Sequence, residues 1–234
     1  MTVAWLAHLY TGLGAAVALL ATLDVIAGDY RGAFIWLGLQ IVIDATDGLL
    51  ARAVRVKERL PHVDGARLDD IIDYLCYVFV PMLLLLHANL LSSGLGVVVA
   101  AVVLLASAYG FSQSEAKVKT TDYFFTGFPS YWNLVAFYLF VWRLPPVVNA
   151  AILFALAVLV FVPLRYVYPS RTATLRSTTN ILGATWGALM VWMVWRLPAT
   201  DGPWALLSLM FPTYYTLLSI WLNWRRAPAP RRAL

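Results

Sequence analysis

Charge is scarce in this chain. Only 12% of its 234 residues are Asp, Glu, Lys or Arg, while 62% are hydrophobic and the mean hydropathy is +0.76. Soluble domains carry about twice that share of charge. The composition therefore excludes an ordinary soluble domain and leaves an integral membrane protein. Cysteine is nearly absent: Cys76 stands alone, which excludes a disulfide framework within one chain. The first residues lack a Lys/Arg-rich start and a clear cleavage site, so they are read as mature sequence and not as a signal peptide. No run looks like a linker between soluble domains and no internal repeat is visible. One transmembrane domain over residues 1–234 is expected.

Apolar sequence of spanning length is what the chain has in abundance. Charges and prolines mark off eight runs, at residues 3–26, 32–51, 70–91, 94–113, 131–143, 146–164, 174–195 and 203–223. The expected fold is all-α, a polytopic membrane protein with about eight transmembrane helices. The fifth run is short because Arg143 and the Pro145-Pro146 pair end it. Basic residues orient the bundle. With both termini on one side, only Arg31, Arg143 and Arg196 of the 17 Lys and Arg residues fall opposite. The positive-inside rule then puts both termini at the cytoplasmic face. The net charge of +5 is a signal of orientation and anionic lipid, with no nucleic-acid partner implied.

Against this background one stretch stands apart, residues 44–73, DATDGLLARAVRVKERLPHVDGARLDDIID. Asp44 and Asp47 are three apart, and Asp69 and Asp73 are four apart. Each pair therefore stacks on one face of a helix. Ionised carboxylates at membrane depth are costly unless something neutralises them. Only Arg52 and Arg67 are near in sequence, so negative charge outnumbers basic partners. Oxygen-ligated divalent cations, Mg²⁺ or Mn²⁺, answer that imbalance. Gly48 follows Asp47, and Gly65 precedes Asp69 by one turn, so bulky polar groups can approach the backbone there. Arg52 offers a planar fork suited to phosphate. Metal, Arg and cleared backbone together point to a substrate containing pyrophosphate.

The pattern Asp-x-x-Asp-Gly-x-x-Ala-Arg, then Gly-x-x-x-Asp-x-x-x-Asp, resembles that of the CDP-alcohol phosphatidyltransferases. All eight fixed positions are present: Asp44, Asp47, Gly48, Ala51, Arg52, Gly65, Asp69 and Asp73. The linker from Ala53 to Asp64 is longer than usual for that family, as in its bacterial phosphatidylcholine synthase branch. The runs VDGARLDDIIDYLCYVFVP, FFTGFPSYWN and FVPLRYVYPSRT resemble that branch too, over most of the chain. The resemblance implies two divalent cations, Mn²⁺ or Mg²⁺, on Asp44, Asp47, Asp69 and Asp73. It implies that Gly48, Ala51, Arg52 and Gly65 bind the CDP part of CDP-diacylglycerol, and that Asp73 takes the proton of the acceptor hydroxyl. It further implies a multi-pass enzyme of the bacterial inner membrane, its site facing the cytoplasm among membrane lipids, and a homodimer.

The acceptor is read from residues 107–133, the least hydrophobic part of the interior chain. A quaternary ammonium has no N–H to donate, so its sites use aromatic faces and at times a carboxylate. This segment holds Glu115, Tyr123, Tyr131 and Trp132, and Tyr77 continues the Asp69/Asp73 face by one turn. With the resemblance, these residues make choline the expected acceptor and phosphatidylcholine and CMP the products. An interfacial aromatic belt is the plain alternative for the segment, and a core aromatic for Tyr77.

Other polar residues read as structural. Asp24 is placed near the far interface, His8 is a satisfied polar group, and Asp64 and Asp70 are solvated or capping residues. Arg165, Arg171 and Arg176 are explained by positive-inside charge. Serine, glycerol 3-phosphate and inositol stand as other acceptors. From a different class, a divalent-cation transporter or a lipid-binding scaffold would also hold clustered carboxylates.

Overall fold

The computed structural model describes residues 2–113, 124–162, 165–167, 175–199 and 202–225. Each of the eight apolar runs contains helix among its described residues. Helices α1 (Thr2–Ala27) and α2 (Tyr30–Ala53) form the first hairpin, and a short α3 (Val56–Arg59) follows. Residues Gly65–His87 make one long helical path of three parts: α4 (Gly65–Asp73), a π-helical segment (Tyr74–Phe79) and α5 (Val80–His87). Next come α6 (Leu95–Ser112), α7 (Trp132–Trp142), α8 (Pro146–Phe161), α9 (Arg176–Arg196), α10 (Gly202–Ser208) and α11 (Met210–Arg225). Five paths among the described residues are long and apolar enough to cross a membrane: Thr2–Ala27, Tyr30–Ala53, Gly65–His87, Leu95–Ser112 and Pro203–Leu222. Large apolar side chains face outward along them, with Leu105 72% and Met210 68% exposed. An outer surface this apolar suits lipid, and the chain is a multi-pass membrane protein.

Local chemistry explains most element ends. Asp29 caps α2 by accepting from Gly32 N at 2.9 Å. Asp64 caps α4 by accepting from Ala66 N and Arg67 N at 3.1 and 3.3 Å, and pairs with Arg67 Nε at 3.2 Å. Its reading as a capping residue holds. Arg143 adopts φ 47° and closes α7, after which Pro146 opens α8. The π segment precedes Pro81. A proline there has no N–H to donate to Tyr77 O, and Val80 N donates instead five residues back, to Leu75 O.

Two features depart from the sequence expectation. The last apolar run is broken at Leu209, where one helix over 203–223 is expected. Pro212 lacks an N–H, and its ring would press on the carbonyl of Ser208, so a new helix begins at Met210. A small antiparallel ribbon also joins β1 (Phe124–Thr126) to β2 (Arg165–Val167), with Phe125 opposite Tyr166. Gly127 follows at φ +86°, where a Cβ would meet the carbonyl of Val160 at the end of α8.

The largest core cluster runs through the bundle from α1 to α10. Phe34 of α2 meets Phe137 and Phe140 of α7 edge-to-face, at 5.3 and 5.5 Å. Ala4, Ala7, Ala18, Ala21 and Gly14 give α1 a small-residue face, which lets α2 and α4 approach. Val56 and Leu60, from the long linker, bury themselves on Ala4 and Ala7. Asp24 accepts from Trp36 Nε1 at 2.9 Å, a buttress within the first hairpin.

Candidate metal centre

Where α2 nears its end and α4 begins, three of the four acidic residues converge. Asp44, Asp47 and Asp69 each offer a carboxylate oxygen, and these oxygens lie within 4.8 Å of one another. Asp47 is buried at 8% exposure, while Asp44 and Asp69 are half-buried. Three like charges so placed repel by roughly 3 kcal/mol per pair at an effective dielectric of about 20. Neighbouring hydroxyls offset part of this. Thr11 Oγ1 donates to Asp47 Oδ2 at 2.8 Å, and Tyr77 Oη donates to Asp44 Oδ2 at 3.1 Å. The donor set is all carboxylate, with neither thiolate nor imidazole, which matches a hard divalent cation such as Mg²⁺ or Mn²⁺. The residues present fit that group.

Asp73, half-buried, lies one turn beyond Asp69, at the last position of α4, and is not one of the three converging residues. The π segment starts directly after it, at a place where such wide turns often serve function. Arg52 sits on the last turn of α2 with its guanidinium folded over Gly48, whose absent Cβ would stand 3.3 Å from Arg52 Nη1. Among the described residues Arg52 makes no ion pair. Its fork is free to meet an anion beside the carboxylates. Ala51 packs against the α3 cluster. Gly65 opens α4 under the ring of His8, with room for a Cβ only 2.9 Å from His8 Cε1. His8 departs from the satisfied polar group expected of it: its Nε2 is buried and has no hydrogen-bond partner among the described residues.

Of the five residues expected at the acceptor, the described structure holds Tyr77, Tyr131 and Trp132. Glu115 and Tyr123 lie outside the described residues. Trp132 has no exposed surface; its indole N–H donates to Ser107 Oγ at 2.8 Å, and its ring packs edge-to-face on Phe128 at 4.9 Å. Tyr131 is 37% exposed at the start of α7, a helix that packs against the π segment carrying Tyr77. Thr11 had no signal in the sequence, because it meets Asp47 from 36 residues away. Apart from the acidic trio, an apolar groove of about 720 Å³ along α11 is lined by residues such as Leu206, Met210 and Trp221. Among the described residues its lining includes no carboxylate.

Helices long and apolar enough to cross a membrane, with three carboxylates able to hold a metal ion at the end of two of them, define the class: a multi-pass membrane protein with a candidate metal centre. No protein-family model matches the chain. Curated relatives do. It is 36% identical to the phosphatidylcholine synthase of Legionella pneumophila, over 93% of this chain and 88% of that one. It is 34% identical to that of Pseudomonas aeruginosa, over 95% and 92%, and 31% identical to that of Borreliella burgdorferi, over 96% of each. The chain belongs to the phosphatidylcholine synthase family.

Proposed function

We propose that the chain transfers the phosphatidyl group of CDP-diacylglycerol to choline, giving phosphatidylcholine and CMP. The observation that carries the reading is the convergence of Asp44, Asp47 and Asp69 within 4.8 Å, with Arg52 over Gly48 beside them. Family membership supports choline as the acceptor. Divalent cations, when bound, would neutralise the pyrophosphate and stabilise charge on the departing phosphate. Asp44, Asp47, Asp69 and Asp73 are the residues to hold them, with Mn²⁺ and Mg²⁺ both suited.

The chain's own groups do the rest. Arg52 clamps phosphate oxygens, while Gly48, Ala51 and Gly65 leave the backbone open to the CDP part. Asp73 accepts the proton of the choline hydroxyl as that oxygen bonds to the phosphatidyl phosphorus. The bond from phosphorus to the CMP oxygen breaks, and CMP leaves with its electron pair. Tyr77 and Tyr131 supply aromatic faces for the trimethylammonium group. Trp132 would meet that group only if its ring were uncovered, and Glu115 and Tyr123 belong to the same proposed site. The reading includes eight spans, both termini and the site at the cytoplasmic face of the inner membrane, and a homodimer. The last is measured by light scattering of the detergent-solubilised protein.

The test uses purified protein with CDP-diacylglycerol and Mn²⁺, offering choline, serine, inositol and glycerol 3-phosphate in turn. CMP release and the lipid product are read. Choline-dependent phosphatidylcholine, abolished by EDTA, is the expected result. CMP release with another acceptor would keep the Asp chemistry and remove choline. No CMP with any acceptor, from folded protein, would return the cluster to transport or binding.

A further inference from the structure

We infer that Thr11, on α1, is a positioning residue for the metal centre: it fixes the carboxylate of Asp47 in the orientation a cation needs. The inference rests on the cation reading above and adds to it a helix outside the acidic motif. Thr11 Oγ1 donates to Asp47 Oδ2 at 2.8 Å, and both residues are 8% exposed. A hydroxyl has one proton to give. Its other acceptor in reach, Ala7 O, is at 3.5 Å, so the shorter bond to the carboxylate takes it. An ionised carboxylate offers about four lone-pair sites, so Thr11 occupies one and leaves the others for a cation. This donor opposes part of the repulsion that Asp44 and Asp69 exert on Asp47.

The depth of Thr11 is also set. Gly14, one turn on, sits so close to its neighbours that a Cβ there would run into the side chains of Ile72 and Gln40. Ile72 adjoins Asp73 on α4, and Gln40 stands one turn before Asp44 on α2. Cys76 Sγ closes the same contact, donating to Gly14 O at 3.5 Å. Helix α1 is thereby seated against both acid-bearing helices, with Thr11 opposite Asp47. Outer partners that orient metal-binding carboxylates typically matter by about 10–100-fold in affinity or activity.

The experiment is Mn²⁺ titration of the full-length protein in detergent, without substrate, read by the loss of the free-ion EPR signal. Thr11→Val keeps the shape and removes the hydroxyl; affinity is expected to fall about 10–100-fold. Thr11→Ser is expected to restore it to within a few-fold of the parent. Thr46→Val serves as the control, since the Thr46 hydroxyl bonds Val42 O and Tyr10 and lies outside the trio; affinity should not move. In an Asp47→Asn background, Thr11→Val is expected to add no further loss, because the two act through one bond. Turnover of Thr11→Val should recover as Mn²⁺ is raised. Equal affinity of Thr11→Val and parent would overturn the inference, as would Thr11→Ser being as weak as Thr11→Val. If Thr11→Val aggregates, Thr11→Ala is compared with Thr11→Ser in its place. Absence of Mn²⁺ binding in the parent protein would defeat the cation reading itself, a result distinct from the others.

Discussion

Asp73 is the residue at which binding and chemistry separate. It stands one turn from Asp69 but outside the converging trio. Asp73→Asn should cut turnover by about 10²–10⁴-fold, the usual contribution of a general base. Mn²⁺ binding by Asp44, Asp47 and Asp69 should survive in part. Equal loss of both, measured by EPR titration and CMP release, would argue against a separate proton-accepting role. Tyr77 is the other informative position, because its hydroxyl and its ring have different partners. Tyr77→Phe keeps the aromatic face and removes the donor to Asp44. The expected outcome is a choline KM within a few-fold of the parent and a fall of about 10-fold in Mn²⁺ affinity, from the loss of one bond to a charged acceptor. An unchanged metal affinity would leave Tyr77 only its ring.

At the scale of elements, α1 carries more of the site than its sequence announces. Its small residues read as packing, and they are packing; the consequence for Asp47 appears only when α2 is laid beside them. Gly14→Ala should destabilise the detergent-solubilised protein by about 1–3 kcal/mol through overpacking against Ile72 and Gln40. Its Mn²⁺ affinity should fall with the thermal midpoint, whereas Gly12→Ala, which meets nothing within 4 Å, should change neither. The acidic motif itself was legible in sequence. Periods of three and four residues put Asp44 with Asp47 and Asp69 with Asp73 on shared faces, and the structure brings Asp69 to the first pair. Caps and breakers were legible for similar reasons, as at Arg143 and Asp64. The ribbon between β1 and β2 and the bond from Thr11 were not. Both depend on which distant segments meet, and no local pattern encodes that. Pro212 was visible, yet an apolar run of spanning length concealed the break it causes. Trp132 shows the limit of composition: an aromatic-rich segment does not say which rings end up in the core.

For the whole molecule, the division of basic residues predicts an orientation that can be measured. Lys57 lies on α3 at the end with the acidic trio, and Ser93 lies on the exposed turn before α6 at the other end. Cys76 is fully buried and should stay silent to thiol reagents. A membrane-impermeant maleimide applied to intact spheroplasts is expected to label Ser93→Cys. Lys57→Cys should be labelled only after the membrane is opened. The reverse pattern would place the catalytic end outside the cell and overturn the assignment of the termini.

The wide turn at Tyr74–Phe79 gives the third path an unusual tolerance. A π turn holds one residue more than an α turn, so the path can lose a residue there and heal into a plain α-helix with both flanks still in phase. The same deletion in the middle of α1 or α6 would rotate everything beyond it by about 100° and turn core side chains toward lipid. Length variation should therefore be survivable at this one point of the path, and Tyr77, which reaches Asp44 from within the turn, is the contact that would be surrendered.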